Sequence, residues 1–160
     1  MVKRETVFLK FVVVLMGLPV LAICIFVLPV LSEYVAKIMP AFTSAKYLFL
    51  FGMYATAMIF FFALYQTLKL LTYIDKNKAF SELSVLALKN IKYCAITISI
   101  LYAVELPIIF QIADADDAPG VVLIGLVITF ASMVIAVFAA VLQKLLTHAI
   151  DIKLENDLTV

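Results

Sequence analysis

Four long stretches with almost no charged residues constrain this chain more than any other feature of its sequence. They cover residues 11–31, 47–68, 93–113 and 118–143, and Glu105 is the one acidic or basic residue inside them. At a rise of about 1.5 Å per residue, helices of these lengths cross a hydrocarbon layer of about 30 Å. The sequence therefore predicts an all-α membrane protein, a bundle of four transmembrane helices in one domain.

The overall composition excludes a water-soluble fold. Hydrophobic residues make up 66% of the chain and charged residues 14%, against about 25% charged residues in soluble domains. A soluble monomer of this length has too little interior to bury that apolar surface, so the expected partner of most side chains is the lipid bilayer. The formal net charge of +1 gives no general attraction to nucleic acid, and no direct nucleic-acid binding is expected.

The distribution of basic residues predicts the orientation of the chain, because Lys and Arg are retained on the cytoplasmic side during insertion. With the N-terminus inside, the outer segments hold only Lys37 and Lys46. The inner segments hold the other basic residues: Lys3, Arg4, Lys10, Lys69, Lys76, Lys78, Lys89, Lys92, Lys144 and Lys153. Both termini and the loop 69–92 are therefore predicted to face the cytoplasm of a bacterial cell, with the protein in its plasma membrane.

Glu105 lies inside the third apolar stretch. Burying a charged carboxylate there costs several kcal/mol, so we expect Glu105 to be protonated, paired or in contact with water. Pro107 follows it and leaves the Ala103 carbonyl without its helical donor. Two interpretations are open: a proton or cation relay in which Gln66 and Gln111 are further polar members, or a protonated carboxyl bonded to a tyrosine or serine.

The loop 69–92 has local signals for a turn between two helices. Asn77 is expected to end the second helix in the left-handed conformation, and the Ser81 side chain is expected to cap the next one by accepting an amide hydrogen bond. The segment is either a capped entry to the membrane with lysines at the headgroups or a cytoplasmic docking surface. The candidate docking residues are Phe80, Ser81, Lys89 and Lys92.

The tail 144–160 alternates apolar and charged residues at helical spacing. It is predicted to be an amphipathic helix that lies at the membrane interface or against the loop 69–92. Its last residues, Leu158, Thr159 and Val160, have the character of a peptide that a receptor captures by its carboxylate, so they join the candidate docking residues.

Two further patterns concern the outer turn and the fourth helix. Asp114, Asp116 and Asp117 could hold a hard cation through their oxygens, but Asp116 or Asp117 is more simply expected to cap the helix that follows. In the fourth stretch, small residues at spacing four predict a close helix contact: Ser132, Ala136 and Ala140.

The chain has no recognisable catalytic or cofactor motif. No Ser/His pair, paired carboxylates or phosphate-binding loop is present, so we predict that the protein is not an enzyme and uses no cofactor. His148 has no ligand partners at metal-binding spacing, and Cys24 and Cys94 belong to different membrane depths. No metal site is predicted.

Three motifs resemble one bacterial family. They are Ala79-Phe80-Ser81, the run LALKNIKY at 86–93 and the ending ENDLTV at 155–160. With the four apolar stretches, they resemble the membrane proteins called domain of unknown function 2975, or YoaS-like proteins. The glycine expected before the Phe-Ser pair is absent, and DKNK stands at 75–78 instead. The resemblance implies no established activity, but such proteins are often encoded beside a short helix-turn-helix regulator, which implies a cytosolic partner.

Two functions are therefore expected. The first is a membrane-bound regulatory or interaction protein that docks a cytosolic partner, such as a helix-turn-helix regulator. The alternative is a small transporter or pore that uses Glu105. Because four helices enclose little space, that alternative requires a homo-oligomer.

Overall fold

A computed structural model describes residues 2–41 and 44–159, which are almost entirely helical. Side chains are described for residues 4–41 and 44–158. The helical segments are α1 (Val2–Ala22), a π-helical segment (Ile23–Val27), α2 (Leu28–Ile38), α3 (Ala45–Asp75), α4 (Glu82–Ala115) and α5 (Pro119–Thr159). No strand occurs in the described residues, and the predicted all-α class is confirmed.

Four helices are long and apolar enough to cross a membrane, as the sequence predicts. They are Arg4–Ile38, Ala45–Asp75, Glu82–Ala115 and Pro119–Leu158. The first combines α1, the π-helical segment and α2, and is called the first span below. Each helix is longer than its apolar stretch, because the polar residues that flank each stretch continue the helical hydrogen bonding.

The four helices form an open bundle. The first span packs on α3, α3 packs on α4, and α4 packs on α5. Helix α5 makes its main contact with α4 and no comparable contact with another helix in the described residues. The end that carries residues 4–10, the 76–81 loop and the end of α5 is called the terminal end. The opposite end, with the 116–118 turn, is called the turn end.

The π-helical segment exposes a carbonyl that a neighbouring helix satisfies. The Leu28 amide bonds to the Ile23 carbonyl, and Pro29 has no N–H to offer. The Cys24 carbonyl is thereby left without a helical donor. The Tyr54 hydroxyl of α3 donates to it at 3.0 Å, which joins the first span to α3 inside the membrane.

The contact between α4 and α5 follows a seven-residue repeat, the period of a coiled-coil seam. The Ser99 hydroxyl of α4 donates to the Thr129 carbonyl of α5 at 3.0 Å. Of the predicted small residues, Ser132 and Ala136 are buried and Ala140 is half-buried, while the adjacent Ala139 is buried because the spacing alternates between three and four. The buried or half-buried residues of this seam are Gly125, Thr129, Ser132, Ala136, Ala139, Gln143, Leu146 and Ile150.

Two helix ends close with the same motif. Asn77 has φ 59° and Asp117 has φ 50°. At the first, the Lys78 amide bonds to the Tyr73 carbonyl; at the second, the Ala118 amide bonds to the Ala113 carbonyl. These bonds to the fifth preceding residue are typical of a left-handed helix end. The predicted role of Asn77 is confirmed. Asp116 and Asp117 close α4, which corrects the expectation that one of them caps α5.

The tail continues α5 without interruption. No glycine or proline follows Gly125, so no residue breaks the helix before Thr159. Residues 151–158 are exposed on every face. The alternative in which the tail lies against the 69–92 loop is therefore wrong for these residues.

Candidate functional site

The buried carboxyl of Glu105 lies against the backbone of Gly52, between α4 and α3. Glu105 is 3% exposed. A Cβ atom built on Gly52 would lie 1.8 Å from the Glu105 Oε1 atom and 2.7 Å from its Cδ atom. Any other side chain at position 52 would therefore displace the Glu105 carboxyl, because the carboxyl occupies the space in which that side chain would begin.

One oxygen of this carboxyl has no partner. Glu105 Oε2 is buried and accepts or donates no hydrogen bond in the part of the chain that the structure describes. Three polar side chains at nearby levels of the helices donate to backbone carbonyls instead. The Thr56 hydroxyl donates to the Gly52 carbonyl at 2.8 Å, and Ser99 and Tyr54 donate to the Thr129 and Cys24 carbonyls.

This geometry answers one of the sequence expectations. The carboxyl was expected to bond a tyrosine or serine, but the structure gives its Oε2 atom no such bond within residues 4–41 and 44–158. The ion pairs found there are Lys10 with Asp75 and Lys46 with Glu33, and neither includes Glu105. A buried, unpartnered oxygen is rare in folded proteins and calls for a physical explanation.

The two glutamines predicted to join Glu105 do not lie beside it. Gln66 is buried on α3, 14 residues beyond Gly52, or about 21 Å along the helix axis. Gln111 is exposed on α4, six residues beyond Glu105, or about 9 Å along the axis. The structure therefore places the three residues at separate positions, and the site at Glu105 consists of one carboxyl and the backbone of Gly52.

A second carboxyl, Asp75, lies at the terminal end and is fully engaged. The Lys10 ammonium donates to Asp75 Oδ2 at 2.8 Å, and the buried Thr6 hydroxyl donates to Oδ1. These bonds join the start of α1 to the end of α3. The sequence analysis used Lys10 only for orientation. The missed signal is that Lys10 and Asp75 flank apolar stretches that end on the same side of the membrane.

The candidate docking residues lie at the terminal end, but Ser81 does not form the expected cap. Ser81 is the N-cap residue of α4, yet its hydroxyl donates to the Lys78 carbonyl at 2.5 Å. The Ser84 hydroxyl donates to the same carbonyl at 3.1 Å. The two hydroxyls therefore fix the loop rather than the first amides of the helix, because the Lys78 carbonyl attracts both donors.

The other docking candidates are mostly exposed. Phe80 is 57% exposed and Leu158 is 85% exposed. Lys89 is exposed, and the Lys92 ammonium lies 4.8 Å from the centre of the Tyr93 ring. Thr159 belongs to α5 by its backbone, while its side chain and Val160 lie outside the described residues.

The acidic turn is tied to the first span. The Tyr34 hydroxyl donates to Asp116 Oδ1 at 2.7 Å. Asp114 and Asp117 are exposed. Among the described side chains, no group of three or more His, Cys, Asp or Glu residues is arranged to hold a metal ion.

The four apolar helices define the class: this is a multi-pass integral membrane protein of bacterial type. Residues 30–160 match the family described as protein of unknown function (DUF2975), and the chain belongs to that family. It is 63% identical over 158 residues to the uncharacterized membrane protein YoaS of Bacillus subtilis (strain 168), a match that covers 99% of each chain. No solved structure matches the chain. The resemblance stated from the sequence is confirmed.

Proposed function

We propose that this membrane protein docks a cytosolic regulatory protein at its terminal end. One observation carries the proposal: large apolar side chains are exposed beyond the membrane. Leu154 is 56% exposed and lies 11 residues past Gln143, the last residue of the apolar stretch, or about 16 Å along the helix. Phe80 is exposed in the loop before α4. Both residues lie beyond the uncharged stretches of the sequence, so we expect them outside the hydrocarbon, where a protein partner is the natural cover for them.

The end of α5 has the form of a helix that lacks its neighbour. Leu146 and Ile150 are half-buried seam residues, and Leu154 lies one helical turn beyond Ile150, beside the seam, whose repeat continues to Lys153 and Asp157. Counted back from the 116–118 turn, the start of α4 at Glu82 is roughly level with Ile152. The apolar stripe therefore continues past the end of α4. An apolar stripe of this kind suits a partner that supplies one amphipathic helix.

The charges near this stripe favour a basic partner. Asp151, Glu155 and Asp157 outnumber Lys153 over the exposed end of α5. We place this end in the cytoplasm because ten of the 12 Lys and Arg residues belong to it. A small DNA-binding regulator, which the family resemblance implies, carries basic residues and short helices and fits both properties.

The test recovers the tagged membrane protein from its own cells in mild detergent, after crosslinking, and identifies a small DNA-binding regulator that co-purifies with it. Phe80→Ala is expected to lower the recovered regulator at least tenfold. Phe110→Ala is the matched control, since Phe110 lies on α4 in the lipid-facing region and has the same exposure of 57%. Equal recovery with both variants, or no recovery with the unmodified protein after crosslinking, would contradict the proposal. Ser81 is left unchanged because its hydroxyl fixes the loop.

A second candidate, an oligomeric transporter or pore, is favoured by the unpartnered oxygen of Glu105. In the described residues α5 packs mainly on α4 and makes no comparable contact with the first span, so a path across the membrane would require several copies. Proton or cation flux into vesicles is then expected from the unmodified protein and is lost in Glu105→Gln. A monomeric protein without flux would exclude this candidate.

A further inference from the structure

The Glu105 carboxyl is almost fully buried against Gly52, and the ion pairs of the described residues do not include it. The carboxyl packs along its length over the glycine, with Oε1, Cδ and Cγ at 1.8, 2.7 and 3.4 Å from the Cβ position of Gly52. Its Oε2 atom is buried without a partner. We propose that Glu105 is a proton-binding site, and that the bound proton holds α3 against α4 at the turn end.

The groups that face this carboxyl cannot compensate a negative charge. Tyr102 of α4 lies near Glu105 and near Cys24 of the first span, and both Tyr102 and Cys24 are uncharged side chains. Tyr54 of α3 directs its hydroxyl to the Cys24 carbonyl. Helix α5 supplies no acidic or basic residue between Pro119 and Gln143. None of these groups is a cation.

The nearest lysine of α3 is also engaged. Lys46 lies six residues before Gly52, about 9 Å along the helix axis. Its ammonium is paired with Glu33 at 2.5 Å. An ionised Glu105 would therefore lie in this helix contact without a counter-charge, and its Oε2 atom has no hydrogen-bond partner among the described residues. Such a group costs several kcal/mol, which is enough to displace a local helix contact.

When Glu105 loses its proton, one structural change can relieve the buried charge. The ionised carboxyl must reach water, and it reaches water only when its side chain leaves Gly52 and the turn-end halves of α3 and α4 separate. Pro107 lies two residues beyond Glu105 and removes the hydrogen bond to the Ala103 carbonyl. Helix α4 can therefore bend at this level while its seam with α5 stays intact.

The proposal is tested by the distance between two spin labels at the turn end. The labels replace Leu48 on α3 and Phe110 on α4, both exposed, in a protein whose Cys24 and Cys94 are changed to alanine. Distances are measured in vesicles between about pH 5 and about pH 9, a range that brackets a buried carboxyl. We expect one short distance at low pH and a second, longer population that grows as the pH rises.

Two controls separate this effect from general loosening. Glu105→Gln replaces the carboxyl with an amide of the same volume that has no proton to release. This variant is expected to keep the short distance at every pH. A label pair at the terminal end of the same helices, Tyr65 with Leu86, is expected to stay constant. Glu105→Met serves in place of the glutamine variant if the latter does not fold.

The proposal is wrong if the unmodified protein keeps one distance over the whole range. It is also wrong if the Glu105→Gln protein opens with pH as the unmodified protein does. Neither outcome bears on the docking surface, which is measured by recovery of a regulator at the other end of the molecule.

Discussion

Asp75 and Glu105 are both carboxyl groups in helix contacts, but their surroundings are opposite. Asp75 lies at the rim of the terminal end, where Lys10 and Thr6 donate to its two oxygens. Glu105 lies between α3 and α4, and its Oε2 atom has no partner among the described residues. The first carboxyl is held by hydrogen bonds and an ion pair. The second is held by the shape of the space above Gly52.

This difference assigns the two carboxyls different roles. Charge-assisted hydrogen bonds stabilise a contact in proportion to the partners present, so Asp75 acts as a structural link between α1 and α3. A carboxyl with an unused oxygen adds little by bonding and is costly when ionised. The presence of Glu105 in an apolar helix contact is therefore better explained by a role that depends on its protonation.

The largest expected effect comes from filling the space above Gly52. Gly52→Ala places a methyl group where the Glu105 carboxyl lies, so we expect the free energy of unfolding in detergent to fall by about 2–3 kcal/mol. Gly120→Ala is the matched control, because a Cβ atom at Gly120 meets no heavy atom within 4 Å. If the overlap causes the loss, Glu105→Ala in the same protein is expected to recover at least about 1 kcal/mol of it.

A Gly52→Ala protein as stable as Gly120→Ala would show that the carboxyl leaves its place at no cost. The contact would then be an incidental one, and the comparison with Asp75 would lose its basis. The same unfolding curves, recorded for all four proteins, decide this point.

A smaller effect is expected at Asp75. Asp75→Asn removes the ion pair with Lys10 and weakens the bond from Thr6, and a loss of about 1–2 kcal/mol of unfolding free energy is expected for a half-buried pair. Glu105→Gln, measured beside it at low pH, is expected to lose less because no hydrogen bond or ion pair of the Oε2 atom is removed. If Glu105→Gln loses more unfolding free energy than Asp75→Asn, Glu105 has a bonding partner, and the contrast with Asp75 is wrong.

The sequence predicts the features that depend on local patterns. Four apolar stretches give the four helices, because length and hydropathy alone decide whether a helix crosses a membrane. Asn77 was correctly expected at a left-handed helix end, since the next few residues determine that conformation. Glu105 was recognised because an acidic residue is conspicuous in an apolar stretch.

The sequence does not predict features that depend on the register between helices. Gly52 and Glu105 are far apart in the chain, and only the packing of α3 on α4 brings them together. Lys10 and Asp75 are 65 positions apart and were missed for the same reason. Ala139, the more buried neighbour of the predicted Ala140, was missed because a constant spacing of four ignores the seven-residue period of two packed helices. The expected Ser81 cap is absent because its hydroxyl is directed toward the Lys78 carbonyl instead of the first amides of α4.

The smallest expected effect lies at the turn end, where an exposed hydrogen bond links the first span to α4. Tyr34→Phe removes the bond to Asp116, and we expect the smallest fall in the thermal unfolding midpoint among these variants, because the bond is exposed to solvent. Tyr47→Phe is the control, because Tyr47 is exposed near the same end and its contact with Lys46 uses the ring that phenylalanine keeps. If Glu105 opens this end, loss of the Tyr34 link also favours the open form. The long-distance population is then expected to appear at a lower pH in Tyr34→Phe than in the unmodified protein, while Tyr47→Phe leaves it unchanged. A Tyr34→Phe protein with the original pH profile would place the opening movement away from the acidic turn.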